Sequence, residues 1–488
     1  MYMKRYLLPG LLTLFLLQLP YQPLMAQAAK NNSGDSIARK VDSLFAEIDK
    51  ETDPGAAVLV VRDGKVLLRR CYGLANLEYQ EPVTPSTVFD VASLSKQFTG
   101  MTIAMLVEEG RISLKDDIRK YIPELPDFGH TITIDHLVHH TSGIRDWPGT
   151  LALAGSRMDD VITFDQILRM AYHQEALNFV PGSEYTYSNT GYNLLAEVVQ
   201  RVSGKTFREW THEHIFKPLG MTATHFQDNP SQVIPERANG YRRERDGEYL
   251  AVHDGLTAFG SSSLYTSIDD MGKWAMNLDN PRVGGKRMIE RMFQQDTLNN
   301  GKKNAYAFGL VAGRFRGLEI MDHSGSWAAF NTFLLHFPRQ NFSIVVLMNF
   351  SPADPGRIAY DIAGMYLAAE LEPAKKHAKR NRQAEPEAPV PAVASLQEFS
   401  GEFGSTELAT VYSIVSEDGK LLARHRRHGD IELVPTGKDT FRGKAWFMSI
   451  VEFTRDNTGR VSGFLVSQHR GRKQRFVKRE EQQGEELQ

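Results

Sequence analysis

The sequence has little cysteine, no excess of charge of one sign and no long hydrophobic run. One cysteine, Cys71, stands among 488 residues, which excludes an internal disulfide framework and any metal or iron–sulfur site built from several cysteines. Lys plus Arg number 57 and Asp plus Glu 59, a formal net charge of −2. No global positive field is therefore available to hold nucleic acid. Hydrophobic residues make up 41% and charged residues 24%, which indicates a globular protein rather than a disordered, collagen-like or multi-span membrane chain.

The first residues show the order of positive charge, apolar run and small residues that is typical of an export signal. Lys4 and Arg5 precede an apolar run over residues 6–19, and Ala26-Gln27-Ala28 is a small-x-small cleavage pattern. The run is shorter than the roughly 20 residues of a membrane span. We therefore predict a signal peptide at residues 1–28 and a periplasmic or secreted mature protein without a stable membrane anchor; an uncleaved N-terminal anchor is the alternative.

Strand and helix patterns alternate along residues 35–371. Apolar, β-rich runs at 56–61 and 66–70 flank Asp63-Gly64, and a second such pair lies at 331–337 and 342–349. Helical periodicity occurs between these two hairpins, and again after them. The helical stretches are 94–107, 164–171, 192–202, 269–278 and 357–371. Strands at both ends with helices between predict one α/β domain, whose sheet is assembled from distant parts of the chain and covered by helices.

Composition changes sharply at Glu372. Residues 372–393 are mostly Pro, Ala, Lys, Arg and Glu and cannot bury enough apolar surface to fold, so we predict a linker. Residues 394–480 contain short strand-like runs separated by turns such as Asp418-Gly419, which predict an antiparallel barrel or sandwich. Its many cations, among them Arg470 and Arg472, are interpreted as a solvated β face.

The first chemical motif is Ser93-Leu94-Ser95-Lys96, at the predicted start of a helix. Residues three apart on a helix share a face, so the Ser93 hydroxyl and the Lys96 amine can meet. A serine needs a neighbour to take its proton, and an amine can do so if burial or nearby cations lower its pKa. The alternative is a plain helix start with a solvated lysine.

Two further motifs have the residue types that such a serine needs. In Tyr187-Ser188-Asn189 the phenol can shuttle a proton, and the amide can hold a substrate amide or the lysine. In His323-Ser324-Gly325-Ser326, a backbone N–H at Ser326 could pair with that of Ser93 as an oxyanion hole, while His323 could orient the substrate. Taken singly, the first stretch is more typical of a turn followed by a helix cap, and the second of a structural histidine.

The three motifs together, in this order, resemble the serine β-lactamase and penicillin-binding protein superfamily, and more closely its class C β-lactamase and D-alanyl-D-alanine carboxypeptidase group. Residues 134–144 and Pro218-Leu219-Gly220-Met221 add to the resemblance. It implies an antiparallel sheet flanked by helices, an all-helical subdomain and, for residues 394–480, a small lipocalin-like barrel.

The resemblance also assigns roles. It implies that Ser93 is the acylated nucleophile, Lys96 its base partner, Tyr187 the proton shuttle and Asn189 an amide clamp; which of Lys96 and Tyr187 takes the serine proton stays open. His323, Gly325 and Ser326 are the other predicted substrate-binding residues. His323 stands where β-lactamases of this group carry lysine, which favours carboxypeptidases, D-aminopeptidases and esterases over efficient β-lactamases.

We therefore expect an exported serine hydrolase that acts on an amide or ester bond of a small-molecule or peptide substrate, with no cofactor, metal or nucleic acid. A penicillin-binding or peptide-binding sensor without turnover is the alternative, as is a binding module in the barrel with the front domain as its scaffold. Gly204-Lys205-Thr206 lacks the first glycine of a P-loop. His139-His140 and His212-x-His214 lack the glutamate spacing of a zinc protease.

Overall fold

A computed structural model describes residues 36–48, 51–374 and 395–480. The predicted signal peptide lies outside the described residues, as does most of the predicted linker, so both stay predictions. The chain divides into two units, one ending at Glu47 and one beginning at Ile48. In the first unit, residues 36–44 form a helix (α1).

The second unit is organised around a six-stranded antiparallel sheet of order β10-β11-β12-β13-β1-β2. These strands are β1 (Ala56–Arg62), β2 (Lys65–Tyr72), β10 (Val311–Phe315), β11 (Leu318–Trp327), β12 (Phe330–Phe337) and β13 (Phe342–Met348). Because β1 pairs with β13 from Ala56↔Met348 to Arg62↔Phe342, the two ends of the domain meet in one sheet. The predicted assembly from distant hairpins is confirmed.

Helices cover both faces of this sheet. On one face, α9 (Ile268–Asp279) packs closely on β1, since a Cβ on Gly272 would lie 2.4 Å from the Leu59 side chain. On the other face, α11 (Pro355–Tyr366) packs on β12, where the Tyr360 and Phe333 rings lie 5.8 Å apart. Side chains alternate between the faces of a strand, so both faces are buried.

The remaining helices and short strands surround the sheet. Most of these helices contribute side chains to its core, whereas Trp147–Leu153 belongs to separate apolar clusters. The helices are α2 (Ser95–Glu108), α3 (Ile134–Val138), α4 (Trp147–Leu153), α5 (Phe164–Tyr172), α6 (Asn189–Ser203), α7 (Phe207–Thr211), α8 (Lys217–Leu219) and α10 (Gly285–Met292). The strands are β3 (Leu74–Asn76), β4 (Glu81–Pro82), β5 (Val88–Asp90), β6 (His225–Phe226), β7 (Gly240–Arg243), β8 (Tyr249–Val252), β9 (Leu264–Ser267) and β14 (Phe350–Ser351). Across the described ranges, no helix combines the length and the apolarity that a membrane crossing requires.

Residues 401–478 close into an eight-stranded antiparallel barrel. The short strands separated by turns had predicted a barrel or a sandwich. Its strands are β15 (Gly401–Ser405), β16 (Thr410–Glu417), β17 (Lys420–His425), β18 (His428–Pro435), β19 (Thr440–Gly443), β20 (Ile450–Arg455), β21 (Val461–Gln468) and β22 (Gly471–Lys478). Inward-facing aromatic side chains such as Phe403, Phe453 and Phe464 fill it.

The barrel packs against α4 of the sheet domain. Ala152 and Leu153 of α4 belong to the barrel's apolar core, and the Tyr412 hydroxyl donates to the Leu153 carbonyl at 3.1 Å. Beside them, Arg145 and Glu407 form an ion pair with both side chains almost completely buried. The two domains therefore share an interface that contains both apolar contacts and a buried ion pair.

Candidate active site

Ser93 lies in a tight turn between β5 and α2. Residues Ala92–Leu94 form one turn of 3-10 helix, and α2 begins at Ser95. Ala92 has a φ of 47°, a left-handed conformation that costs free energy in a residue with a Cβ. Its N–H donates to the Asp90 carboxylate at 2.7 Å, which holds this turn. The predicted contact between Ser93 and Lys96 is present, with the Lys96 Nζ 3.2 Å from the Ser93 Oγ.

Lys96 is fully buried, so it is not the solvated lysine of the alternative interpretation. Its Nζ lies 2.8 Å from the Asn189 Oδ1 and 2.7 Å from the Ser261 carbonyl oxygen. Burial holds the pKa of Lys96 well below its usual range; Asp146 opposes this shift and Arg470 adds to it. A neutral amine has two N–H groups, which the two carbonyl-type oxygens accept. The neutral form also carries a lone pair, which can accept the proton of the Ser93 hydroxyl 3.2 Å away.

Tyr187 and Asn189 lie beside Lys96 because they flank the N-cap of α6. Ser188 is the N-cap of α6, so the motif Tyr187-Ser188-Asn189 both caps this helix and places two side chains in the site. The Tyr187 ring centroid lies 4.8 Å from the Lys96 Nζ, and burial raises the pKa of the phenol. The Ser93 hydroxyl is close enough to lower that pKa in part, but the buried Tyr187 hydroxyl makes no hydrogen bond to a described residue. A neutral phenol with a free O–H therefore lies beside the nucleophile.

His323 on β11 is neutral and both of its ring nitrogens are engaged. Nδ1 lies 2.7 Å from the Ser324 carbonyl oxygen, which can only accept, so Nδ1 carries the proton. Nε2 then accepts from the Tyr306 hydroxyl at 2.8 Å. Burial, followed by the nearby Lys96, lowers the pKa of His323 to about 3. His323 thus presents no positive charge to a substrate.

Gly325 and Ser326 follow on the same strand, where β11 passes close to the nucleophile turn. A Cβ on Gly325 would lie 2.3 Å from the Val91 carbonyl oxygen and 2.4 Å from the Thr332 hydroxyl. Gly325 therefore allows the strand to approach the turn, whereas Ser326 lines the cavity directly. Their roles toward substrate stay predictions.

These residues open onto a cavity of about 690 Å³, a size suited to a small molecule or a short peptide end. Ser93, Tyr187, Asn189 and Ser326 lie on its wall. Aromatic rings form another part of the wall, with Trp147 and Trp327 5.7 Å apart. The site combines the Ser93 hydroxyl, the buried Lys96 amine and an apolar subsite.

Two functional residues were missed by the sequence analysis. Asp146 precedes α4 but leaves that helix uncapped; its carboxylate instead accepts from the backbone N–H and the side-chain amide of Asn189, at 2.7 and 3.1 Å. Arg470 of the barrel lines the cavity and pairs with Asp146. The interpretation of the barrel cations as a solvated face was wrong for Arg470 and Arg472, since Arg472 pairs with Glu184 of the sheet domain. Neither Asp146 nor Arg470 belongs to a local motif, so no sequence signal marked either of them.

The paired histidines have structural partners. His139 Nδ1 lies 3.1 Å from Asp135, and His140 packs against the Tyr187 ring at 4.3 Å. His214 stacks on Trp210. Within the ranges that the structure describes, no three or more His, Cys, Asp or Glu side chains form a group able to hold a metal ion.

Comparison with known proteins adds sequence evidence to this geometry. The Beta-lactamase family model matches residues 41–366. A D-aminopeptidase of Gluconobacter oxydans is 28% identical over 316 residues, which cover 64% of this chain and 59% of that protein. The chain thus spans about three fifths of the length of the curated relatives it matches.

Solved structures share the fold. The octameric penicillin-binding protein homologue from Pyrococcus abyssi superimposes with a TM-score of 0.60 at 23% identity, covering 91% of this chain and 99% of that one. A beta-lactamase/D-alanine carboxypeptidase from Yersinia pestis gives a TM-score of 0.56 at 22% identity, covering 70% and 99%.

Proposed function

The chain belongs to the Beta-lactamase family, and on that premise we propose that it hydrolyses an amide or ester bond through an acyl-enzyme on Ser93. One observation carries the proposal: a fully buried lysine amine, whose pKa burial holds well below its usual range, lies 3.2 Å from a serine hydroxyl. A lowered pKa makes an amine a better general base near neutral pH than a solvated lysine is.

The proposed first step forms one bond and breaks another. The Ser93 Oγ attacks the substrate carbonyl while its proton passes to the Lys96 Nζ. Backbone N–H groups of Ser93 and Ser326 stabilise the oxyanion, and each such donor contributes on the order of 10²–10³-fold in rate. The Tyr187 hydroxyl then gives its proton to the leaving amine or alkoxide and regains one from Lys96. Water hydrolyses the acyl-enzyme and restores Ser93.

For the substrate we favour D-amino-acid amides, short D-amino-acid peptides and esters. The Gluconobacter relative is a D-aminopeptidase, and the Yersinia neighbour carries the name D-alanine carboxypeptidase. The neutral His323 binds a substrate carboxylate less strongly than an ammonium would. We therefore expect β-lactam hydrolysis to be weak beside amide or ester hydrolysis.

The test is covalent labelling followed by turnover. A fluorophosphonate probe should label the wild type and Ser113→Ala, an exposed serine far from the cavity, but not Ser93→Ala. Equal labelling of the wild type and Ser93→Ala would refute the assignment. Release of more than one equivalent of product from a D-amino-acid p-nitroanilide or an ester would separate an enzyme from a sensor that is only acylated.

We also propose that the protein is exported, because residues 1–28 have the composition of a signal peptide. N-terminal sequencing of the protein from an osmotic-shock fraction should begin after Ala28. A mature protein that starts at Met1 in the cytosolic fraction would contradict export without touching the proposed chemistry.

A further inference from the structure

The turn between β21 and β22 brings the barrel into the catalytic cavity. His469 and Arg470 form the turn, and both line the cavity. The turn is held by its backbone, because the Arg470 carbonyl accepts from the Asp146 N–H at 3.1 Å and from the Asn178 side chain at 3.0 Å. A barrel residue thus occupies a defined position beside the nucleophile.

The Arg470 guanidinium faces two residues of the site. It donates to the Asp146 Oδ2 at 3.1 Å and lies 4.7 Å from the Tyr187 ring centroid. The Asp146 side chain is only 2% exposed. A carboxylate at that depth requires a cation, since burying an unpaired charge is strongly unfavourable. Arg470 is the one arginine or lysine, among the described residues, that lines this cavity.

Asp146 in turn determines which way the Asn189 amide points. Its Oδ1 accepts from the Asn189 backbone N–H at 2.7 Å, and its Oδ2 accepts from the Asn189 Nδ2 at 3.1 Å. A carboxylate can only accept, so the amide NH₂ must face Asp146. The Asn189 Oδ1 is then left to accept from the Lys96 Nζ at 2.8 Å. A protonated or absent carboxylate would remove this constraint.

We propose that Arg470 is a positioning residue of the active site: the barrel's guanidinium holds the Asp146 carboxylate in place, and Asp146 orients Asn189 against the Lys96 amine. The inference rests on the proposed function, because it concerns the readiness of Lys96 to take the Ser93 proton. It makes the barrel a part of the catalytic machinery rather than an appended binding module.

The charges around Lys96 act on its pKa in opposite directions. The titratable groups that face it from the elements packed around it are Asp146, Arg470, His140, His323, Tyr187 and Tyr192. Burial lowers the pKa values of both histidines and raises those of both tyrosines, which disfavours the charged form of all four. Loss of the Arg470 charge raises the pKa of Lys96 directly, whereas protonation of Asp146 lowers it, so the informative readout is the labelling rate rather than the position of the acid limb.

The test follows the rate of fluorophosphonate labelling of Ser93 between pH 5 and 9 in the full chain. In Arg470→Gln the labelling rate should fall by roughly tenfold or more across the profile, because Asn189 is no longer held in position against the Lys96 amine, and Arg470→Lys should restore most of the rate. Asp146→Asn combined with Arg470→Gln should show the profile of Asp146→Asn alone, because residues that act through one another are not additive.

The matched control is Arg472→Gln. Arg472 lies two residues after Arg470, in β22, and also pairs with the sheet domain, but its partner is Glu184 rather than Asp146. Its profile should equal that of the wild type, and thermal melts verify that each variant is folded.

A wild-type labelling rate in a folded Arg470→Gln, or additive effects of the two substitutions, would overturn the inference. So would a change confined to KM, which would make Arg470 a substrate-binding group. A wild type that is not labelled at Ser93 would instead overturn the proposed function.

Discussion

Removing Glu407 should loosen the barrel by leaving a buried arginine without its partner. The Arg145 and Glu407 side chains are 2% and 3% exposed. After Glu407→Ala, the Arg145 Nη2 keeps only its bond to the Arg472 carbonyl at 3.0 Å, and its Nε has no partner among the described residues. Uncompensated buried charges of this kind cost about 3–5 kcal/mol. Urea denaturation followed by tryptophan fluorescence should show a loss of that size in the free energy of unfolding.

The pair itself is not expected to be a net source of stability. Burial raises the pKa of Glu407 although Arg145 lowers it, so taking the carboxylate out of water outweighs the attraction between the two charges. Replacing both residues, Arg145→Met with Glu407→Leu, should therefore leave stability near that of the wild type. The exposed pair Arg157–Asp159 provides the control, and Arg157→Ala should change little. A loss below about 1 kcal/mol in Glu407→Ala would refute the reasoning.

Two further perturbations test the site and the core. Tyr187→Phe should lower kcat by about 10²–10⁴-fold with KM little changed, whereas Tyr249→Phe, outside the cavity, should match the wild type in steady-state kinetics. Burial raises the pKa of Asp279 to about 7, so the folded wild type holds a proton between about pH 4 and 7 that the unfolded chain releases. The contribution of Asp279 to the free energy of unfolding of the wild type therefore falls as the pH rises over that range. Thermal melts should show that Asp279→Asn gains stability relative to the wild type as the pH rises. A difference that does not depend on pH would contradict this.

Local structure was largely predictable because its causes are local. Asp63-Gly64 marked the β1–β2 turn, and helical periodicity placed α2, α5, α6 and α9 within a few residues of their observed bounds. The observed α6 begins at Asn189, three residues before the periodic run at Tyr192, since its N-terminal turn is stabilised by the Ser188 cap rather than by apolar burial. The order of the strands also predicted the sheet. Turn spacing left a barrel or a sandwich open for the C-terminal domain, and the family resemblance favoured the barrel that is observed.

The protonation state of the site could not be predicted in the same way. The spacing of Ser93 and Lys96 indicates that they share a helical turn, but it does not distinguish a buried amine from a solvated one. That difference depends on Ser261, Tyr187 and other residues far away in the chain. The same holds for His323, whose neutral state follows from its burial and from Tyr306 and Ser324.

The amino-acid sequence alone determined which reactive groups are present and which of them lie one helical turn apart, because backbone geometry over a few residues is set by those residues. Only the tertiary structure decided that the Lys96 amine is buried and its pKa lowered, that Asp146 orients Asn189, and that Arg470 reaches the cavity from a domain more than 300 residues away. Burial and charge pairing depend on every segment that packs around a group, and they exist only once the sheet domain and the barrel have come together.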